Sequence, residues 1–323
     1  MTSASIIIRT KNEAKYLAST LDAILDQTQR PHEIFIIDSG SADDTIEIAR
    51  RYPVRILTIE PERWNYSRAI NIAAAHATGE VLICLSAHCR PIDEHWLASL
   101  TQHLTDPTVA GVWGPGYQPG REVPHPGLAE RQLTYGPENR SWGLSNSNSA
   151  IRRSLWQELP FDETLPATED KAWAMAMLAR GLVIVHEPAA AVWHAAHDPK
   201  NAFRRNRAVQ SGYDLIFPEL SSSAVRQASI IARRASQLTR QRLESRDFSG
   251  LARDLMRLPA ALASLSGGLV ARAEALRRGL LASRPVEVDI HSGRLEIDGV
   301  KAPSQRPIES SVERPEGLEP PTS

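Results

Sequence analysis

Ser5-Ile6-Ile7-Ile8-Arg9-Thr10-Lys11-Asn12-Glu13 is a short β-branched run that gives way abruptly to polar residues. Such a run reads as a buried strand. The polar residues after it read as a helix start, with Thr10 or Asn12 as cap and a helix N-terminus able to attract an anion. Asn12 to Thr28 continues as that helix, with Tyr16, Leu17, Leu21, Ile24 and Leu25 at helical spacing. The alternation then repeats. Strands are expected at Glu33 to Asp38, Val54 to Ile59, Val81 to Leu85 and Val109 to Trp113. Helices are expected at Asp43 to Arg51, Ser67 to Ala77 and Asp93 to Leu104. Apolar strands separated by helices predict an α/β fold with a mostly parallel sheet covered on both faces. Ligands of such sheets bind beyond the carboxyl ends of the strands, where Thr10, Asp38 and Ser86 to His88 fall.

Outward from this core the pattern changes. Residues 115–145, rich in Gly and Pro, read as a long mobile loop. Residues 145–200 read as an α+β continuation: strands near Ser147 to Arg152, Leu182 to His186 and Ala191 to His194, and a helix from Glu169 to Arg180. Residues 201–284 look helical and basic, and residues 285–323 largely disordered apart from a candidate hairpin at Val286 to Val300. The formal net charge of the 323-residue chain is -1, but it is unevenly spread. Residues 1–199 carry 17 basic and 24 acidic side chains, residues 200–284 carry 16 and 6, and residues 285–323 carry 4 and 8. The balance argues against a general nucleic-acid binder. With 42% hydrophobic residues the chain is neither disordered nor fibrous. Cys84 and Cys89 are too few for a disulfide scaffold and read as buried free thiols, in keeping with a cytoplasmic setting. No secretory signal opens the sequence, and no stretch reaches the ~20 apolar residues of a membrane span.

Four polar constellations carry candidate chemistry. The first is residues 6–13, without the glycines of a phosphate loop, which counts against a nucleotide-binding dehydrogenase, a P-loop NTPase and a nucleotidyltransferase. The second is Ile36-Ile37-Asp38-Ser39-Gly40-Ser41-Ala42-Asp43-Asp44-Thr45; Asp38 needs a partner at a buried strand end, and Ser41 or Asp43 suits a helix cap. The third is Leu85 to Pro91, where His88 is a structural histidine or a ligand for a metal or diphosphate. The fourth is Ala167-Thr168-Glu169-Asp170-Lys171-Ala172-Trp173 at a helix start, where adjacent acids are catalytic or only complement the helix dipole, followed downstream by His194 and His197. Trp142 and Trp173 are core residues or sugar-stacking platforms.

As a set, these segments resemble the family 2 glycosyltransferases over about residues 4–200. Arg-Thr-Lys-Asn-Glu looks like that family's Pro-Thr-Tyr-Asn-Glu, and residues 37–45 look like its Asp-Asp-Gly-Ser-x-Asp-Asp-Thr. Phe161 to Asp170 is similar to the segment bearing its catalytic Glu-Asp pair, and Val192-Trp193-His194 to its Val-Tyr-His. Where the family has Asp-x-Asp, this chain has Ser86-Ala87-His88, like a branch similar to bacterial surface-polysaccharide transferases. The resemblance implies a GT-A fold for residues 1–200, followed by the helical extension 201–284 and the tail 285–323. It implies an inverting hexosyltransferase that moves a sugar from a nucleotide-sugar to an acceptor hydroxyl of a saccharide or lipid-linked acceptor, in surface polysaccharide or glycolipid synthesis. Asp170, or Glu169, would take the proton; Thr10, Glu13, Asp38, Arg68, Ser86 and His88 would bind the nucleotide-sugar. A divalent cation, Mn²⁺ or Mg²⁺, would sit at His88 and His194, with Mn²⁺ the more tolerant of nitrogen. Arg68 is a diphosphate contact or a surface residue. The basic extension is a contact for an anionic membrane, placing the protein at the inner face, or a solvated or oligomeric helix. The missing Asp-x-Asp also admits a non-catalytic nucleotide-sugar-binding or scaffold protein.

Overall fold

The computed structural model describes residues 2–136, 143–195 and 202–217. The expected extension beyond residue 217, the tail, Trp142 and His197 lie outside the described residues. Strand β1 (Ala4–Thr10) pairs in parallel with β2 (Glu33–Asp38) on one side and β4 (Val81–Ser86) on the other. With β3 (Arg55–Thr58), β6 (Val109–Trp113), β8 (Glu130–Gln132), β9 (Asn148–Arg152) and β10 (Val183–His186) they form one eight-stranded sheet, ordered β3-β2-β1-β4-β9-β6-β10-β8. Only β9 and β8 run against the rest, β9 between β4 and β6 and β8 at the edge beside β10. The expected mostly parallel sheet is therefore present.

The pleat explains why β1 is apolar throughout. Ile6 and Ile8 face the core packed by α1 (Ala14–Leu25) and α4 (Trp96–Gln102). Ile7, one pleat over, faces the core packed by α3 (Tyr66–His76) and α6 (Glu169–Ala179). Each of these isoleucines is 0% exposed, and burial of such a side chain stabilises the fold by roughly 1.5–3 kcal/mol. Cys84 and Cys89 are buried free thiols, and burial pushes both up to about 12.

Several elements differ from expectation. The 115–145 segment carries β7 (Gly116–Tyr117) and β8 rather than loop throughout. A second sheet joins β5 (Cys89–Pro91), β11 (Val192–His194) and β7 in that order. The short helix α5 (Arg153–Glu158) follows β9, and α2 is confined to Thr45–Ala49. Helix α7 (Ala202–Ile216) opens the expected helical region, and Ile216 and Phe217 pack with Leu165, Ala172 and Tyr135 beside the start of α6. Among the described residues no helix is long and apolar enough to cross a membrane.

Candidate active site

Thr10 and Asp38 end neighbouring strands in register, and the Thr10 hydroxyl donates to Asp38 Oδ1 at 3.0 Å. Asp38 also accepts from Gly40 N at 2.9 Å, Ser41 N at 2.8 Å and the Ser41 hydroxyl. Its two oxygens are thus filled by Thr10 and by its own loop. Thr10 does not cap α1. The backbone N–H groups at that helix start bond across to the loop after β2 and the start of α2: Glu13 N donates to the Thr45 hydroxyl at 2.8 Å, and Ala14 N to Asp43 Oδ2 at 3.1 Å. Asn12, in the left-handed region at φ 55, donates its N–H to the Ser41 hydroxyl and accepts from Ala42 N. The serine- and aspartate-rich motif therefore caps a neighbouring helix, and these donors are not open to a phosphate.

At the opposite wall, α6 begins with Glu169-Asp170-Lys171 after Thr168, whose φ of 67 is a strained value for a β-branched residue. Asp170 Oδ2 accepts from Asn146 N at 3.1 Å, and its Oδ1 from Lys171 N at 2.8 Å. Glu169 Oε1 accepts from Asn146 Nδ2 at 3.2 Å and faces Arg9 Nη1 at 3.5 Å. Burial, then the Asp170 charge, pushes the Glu169 carboxyl up to about 7, against the pull of Arg9 and Asn146. The Lys171 ammonium donates to the Gly143 and Leu144 carbonyls at 2.8 and 2.6 Å, and burial lowers its pKa.

The second sheet brings the histidines together. His194 on β11 is the register partner of Cys89 on β5, and Ala195 N donates to the His88 carbonyl. The His88 and His194 rings lie 5.2 Å apart, and ligand atoms of His88, Cys89 and His194 all fall within 4.8 Å of one another. Glu13 Oε1 holds His88 Nδ1 at 2.8 Å. Glu13 thus orients a histidine, in the manner of an outer partner of a metal ligand. Burial, with His88 and Arg205 nearby, brings His194 down to about 4, so its imidazole is neutral, the form that binds metals. Two imidazoles and a buried thiol fit a borderline transition ion better than Mg²⁺.

The expected residues do not all converge. Arg68 is engaged elsewhere, with Nε donating to Glu163 Oε2 at 2.8 Å and Nη1 to the Arg63 carbonyl. Asn71, beside it on α3, holds the Phe161 carbonyl and accepts from Trp156 Nε1. Trp173 is core, packed on Phe161 with its N–H on the Leu159 carbonyl. Ser86 brings no carboxylate to the end of β4, and its register partner on β1 is Arg9. Arg9 and Asn146 are the residues sequence reasoning missed. Arg9 stood in the first motif, but Asn146 gave no local signal, because its bonds to Glu169, Asp170 and Arg9 reach 23 to 137 positions along the chain.

Residues 5–182, more than half the chain, match Glycosyl transferase family 2. The O-antigen chain rhamnosyltransferase RfbN of Salmonella typhimurium is 28% identical over 223 residues, covering 62% of this chain and 69% of the relative. The O-antigen chain rhamnosyltransferase WbaN of Salmonella anatum is 29% identical over 204 residues; they cover 57% of this chain and 63% of the relative, less than two thirds of its length. In shape the chain is similar to mannosyltransferase PcManGT from Pyrobaculum calidifontis, solved with GDP-Man and Mn²⁺. The TM-score is 0.55 and the identity 20%, over 85% of this chain and 86% of the other. That likeness carries the fold, which is the GT-A arrangement of a glycosyltransferase. The chain belongs to glycosyl transferase family 2 and is a glycosyltransferase.

Proposed function

We propose that this glycosyltransferase moves a sugar, with inversion, from a nucleoside-diphosphate donor to an acceptor hydroxyl in surface polysaccharide or glycolipid synthesis. The supporting observation is the Glu169-Asp170 pair, opening α6 and held by Asn146 N–H groups beside Arg9 at the carboxyl end of β1. The rhamnosyltransferase relatives support the polysaccharide setting.

Asp170 takes the acceptor proton as the hydroxyl oxygen bonds to the anomeric carbon. The bond from that carbon to the diphosphate breaks on the opposite face, and the diphosphate leaves with the electron pair. A carboxylate of ordinary basicity is sufficient when the proton leaves late and the acceptor is well placed. Two backbone N–H groups fix Asp170 for that task. Thr10 and Asp38 form the nucleotide floor; Asp38 reaches a base or ribose only when Ser41 or Thr10 releases one of its oxygens. His88 and His194, with Glu13 behind His88, are the residues that would hold a divalent ion. When bound, that ion supplies positive charge to the departing diphosphate. Mn²⁺ suits this nitrogen-rich set better than Mg²⁺.

Ser86-Ala87-His88 in place of two carboxylates favours a second reading, nucleotide-sugar binding without catalysis. Release of nucleoside diphosphate by the unaltered protein separates them, and one substitution tests the base. Asp170→Asn is expected to abolish release of nucleoside diphosphate while leaving the donor-induced rise in melting temperature unchanged. Retained turnover removes Asp170 from its role.

A further inference from the structure

Arg9 is charged, its side chain is 15% exposed, and it stands at the carboxyl end of the central strand. Its guanidinium divides between two partners: Nη1 faces Glu169 Oε1 at 3.5 Å, and Nη2 donates to the Asn146 carbonyl at 3.2 Å. Its third neighbour is the Tyr66 ring from α3, 5.4 Å below the guanidinium carbon. Asn146 is 1% exposed and every polar group it has is engaged. Its N–H goes to Asp170 and its side-chain amide to Glu169; its carbonyl accepts from Arg9 and its amide oxygen from the Ser149 hydroxyl. Arg9 therefore touches one carboxylate directly and the other through a single, fully bonded residue.

We propose that Arg9 is a positioning residue for the carboxylate pair, joining Glu169 to the Asn146 backbone and so fixing where Asp170 points. This rests on the reading of Asp170 as proton acceptor. A planar fork with two separated donors bridges two acceptors at a fixed spacing, which an ammonium on a flexible stem does not. The alternative for a buried Glu169 beside Asp170 is to keep a proton and rotate away from its neighbour. Arg9 opposes both changes. The other titratable or charged groups around Glu169 do not replace it. On α6 itself, Asp170 repels and Lys171 is directed to the Gly143 and Leu144 carbonyls. From β4 the Cys84 thiol stays protonated, and from α3 Tyr66 offers Arg9 its ring face.

The test is a cycle of Arg9→Met, Glu169→Gln and the double variant in the full chain, with Arg9→Lys as the milder change. Thermal unfolding without ligand is read at about pH 5 and about pH 8, either side of Glu169 ionisation. Arg9→Met is expected to lower the melting temperature more at the higher pH, where Glu169 is ionised. In the Glu169→Gln background that difference should vanish, and Arg9→Lys should retain part of it. Turnover is read as nucleoside diphosphate release from whichever UDP-, GDP- or dTDP-sugar the unaltered protein uses. Arg9→Met should lose about 100-fold in kcat, with the nucleotide-induced melting shift intact. A purely structural arginine gives equal losses at both pH values in both backgrounds, and that result overturns the proposal, as does full turnover in Arg9→Met. Turnover in Asp170→Asn instead overturns the underlying reading, while the unfolding cycle still reports the Arg9–Glu169 contact.

Discussion

Glu169 and Asp170 are neighbours in sequence but occupy different surroundings. Asp170 receives two backbone N–H groups, whereas Glu169 is buried and pushed up to about 7. A folded-state value above the free value of 4.5 means that Glu169 contributes stability that is complete below that value and lost as the pH rises through about 7. Glu169→Gln stays neutral, so its melting temperature should gain on the unaltered protein between about pH 5 and about pH 8; parallel curves would contradict the burial argument. Glu13 tests the histidine pair at the same scale. Glu13→Gln should weaken Mn²⁺ binding by about 10- to 100-fold, the usual effect of removing an outer partner. Titration followed by the Mn²⁺ resonance signal measures it, and unchanged affinity would separate Glu13 from any metal. Among single residues, the sequence made Asp170, His88 and His194 visible as candidates because each sits at an element end. It could not show Asn146, whose importance arises from bonds that span the chain, nor that Arg68 pairs with Glu163.

Elements were legible where one local pattern determined them. β1, β2, β4 and β6 are buried on both faces, so their apolar runs stand out without knowledge of their partners. β5 and β7 are three and two residues long and exist because they pair with β11, itself expected as a strand at Ala191 to His194. That pairing, invisible in local preference, brings His194 to His88. Helix α7 shows the same limit. Its Gly212 lies so close to the turn before α6 that an added Cβ would sit 2.3 Å from Thr168 Oγ1 and 2.4 Å from the Ala167 carbonyl oxygen. Backbone on one side leaves little room for relief. Gly212→Ala should destabilise the protein by roughly 1–3 kcal/mol, seen in denaturant unfolding. It should also lower turnover, because Thr168 and Glu169 share that turn. Unaltered stability would mean that α7 yields freely.

For the whole molecule, the sheet brings the ends of β1, β2 and β4 to one edge, with α6 and the second sheet closing around them. The alignment of those strand ends followed from the alternation of strands and helices; the second sheet did not. The split of charge along the chain was equally plain, yet the basic stretch lies mostly outside the described residues. Its expected contact with anionic lipid is a proposal that sedimentation with anionic liposomes decides. Removing residues 218–323 should abolish sedimentation, and equal sedimentation with and without them would contradict it. The most direct test of sugar transfer itself is release of nucleoside diphosphate from UDP-, GDP- and dTDP-sugars with Mn²⁺, Mg²⁺ or EDTA, alongside donor-induced melting shifts. Release from one donor class that Asp170→Asn abolishes, with the same melting shift in both proteins, is the predicted result. A melting shift with no release from any donor, acceptor saccharides included, or equal release by the variant, would contradict it.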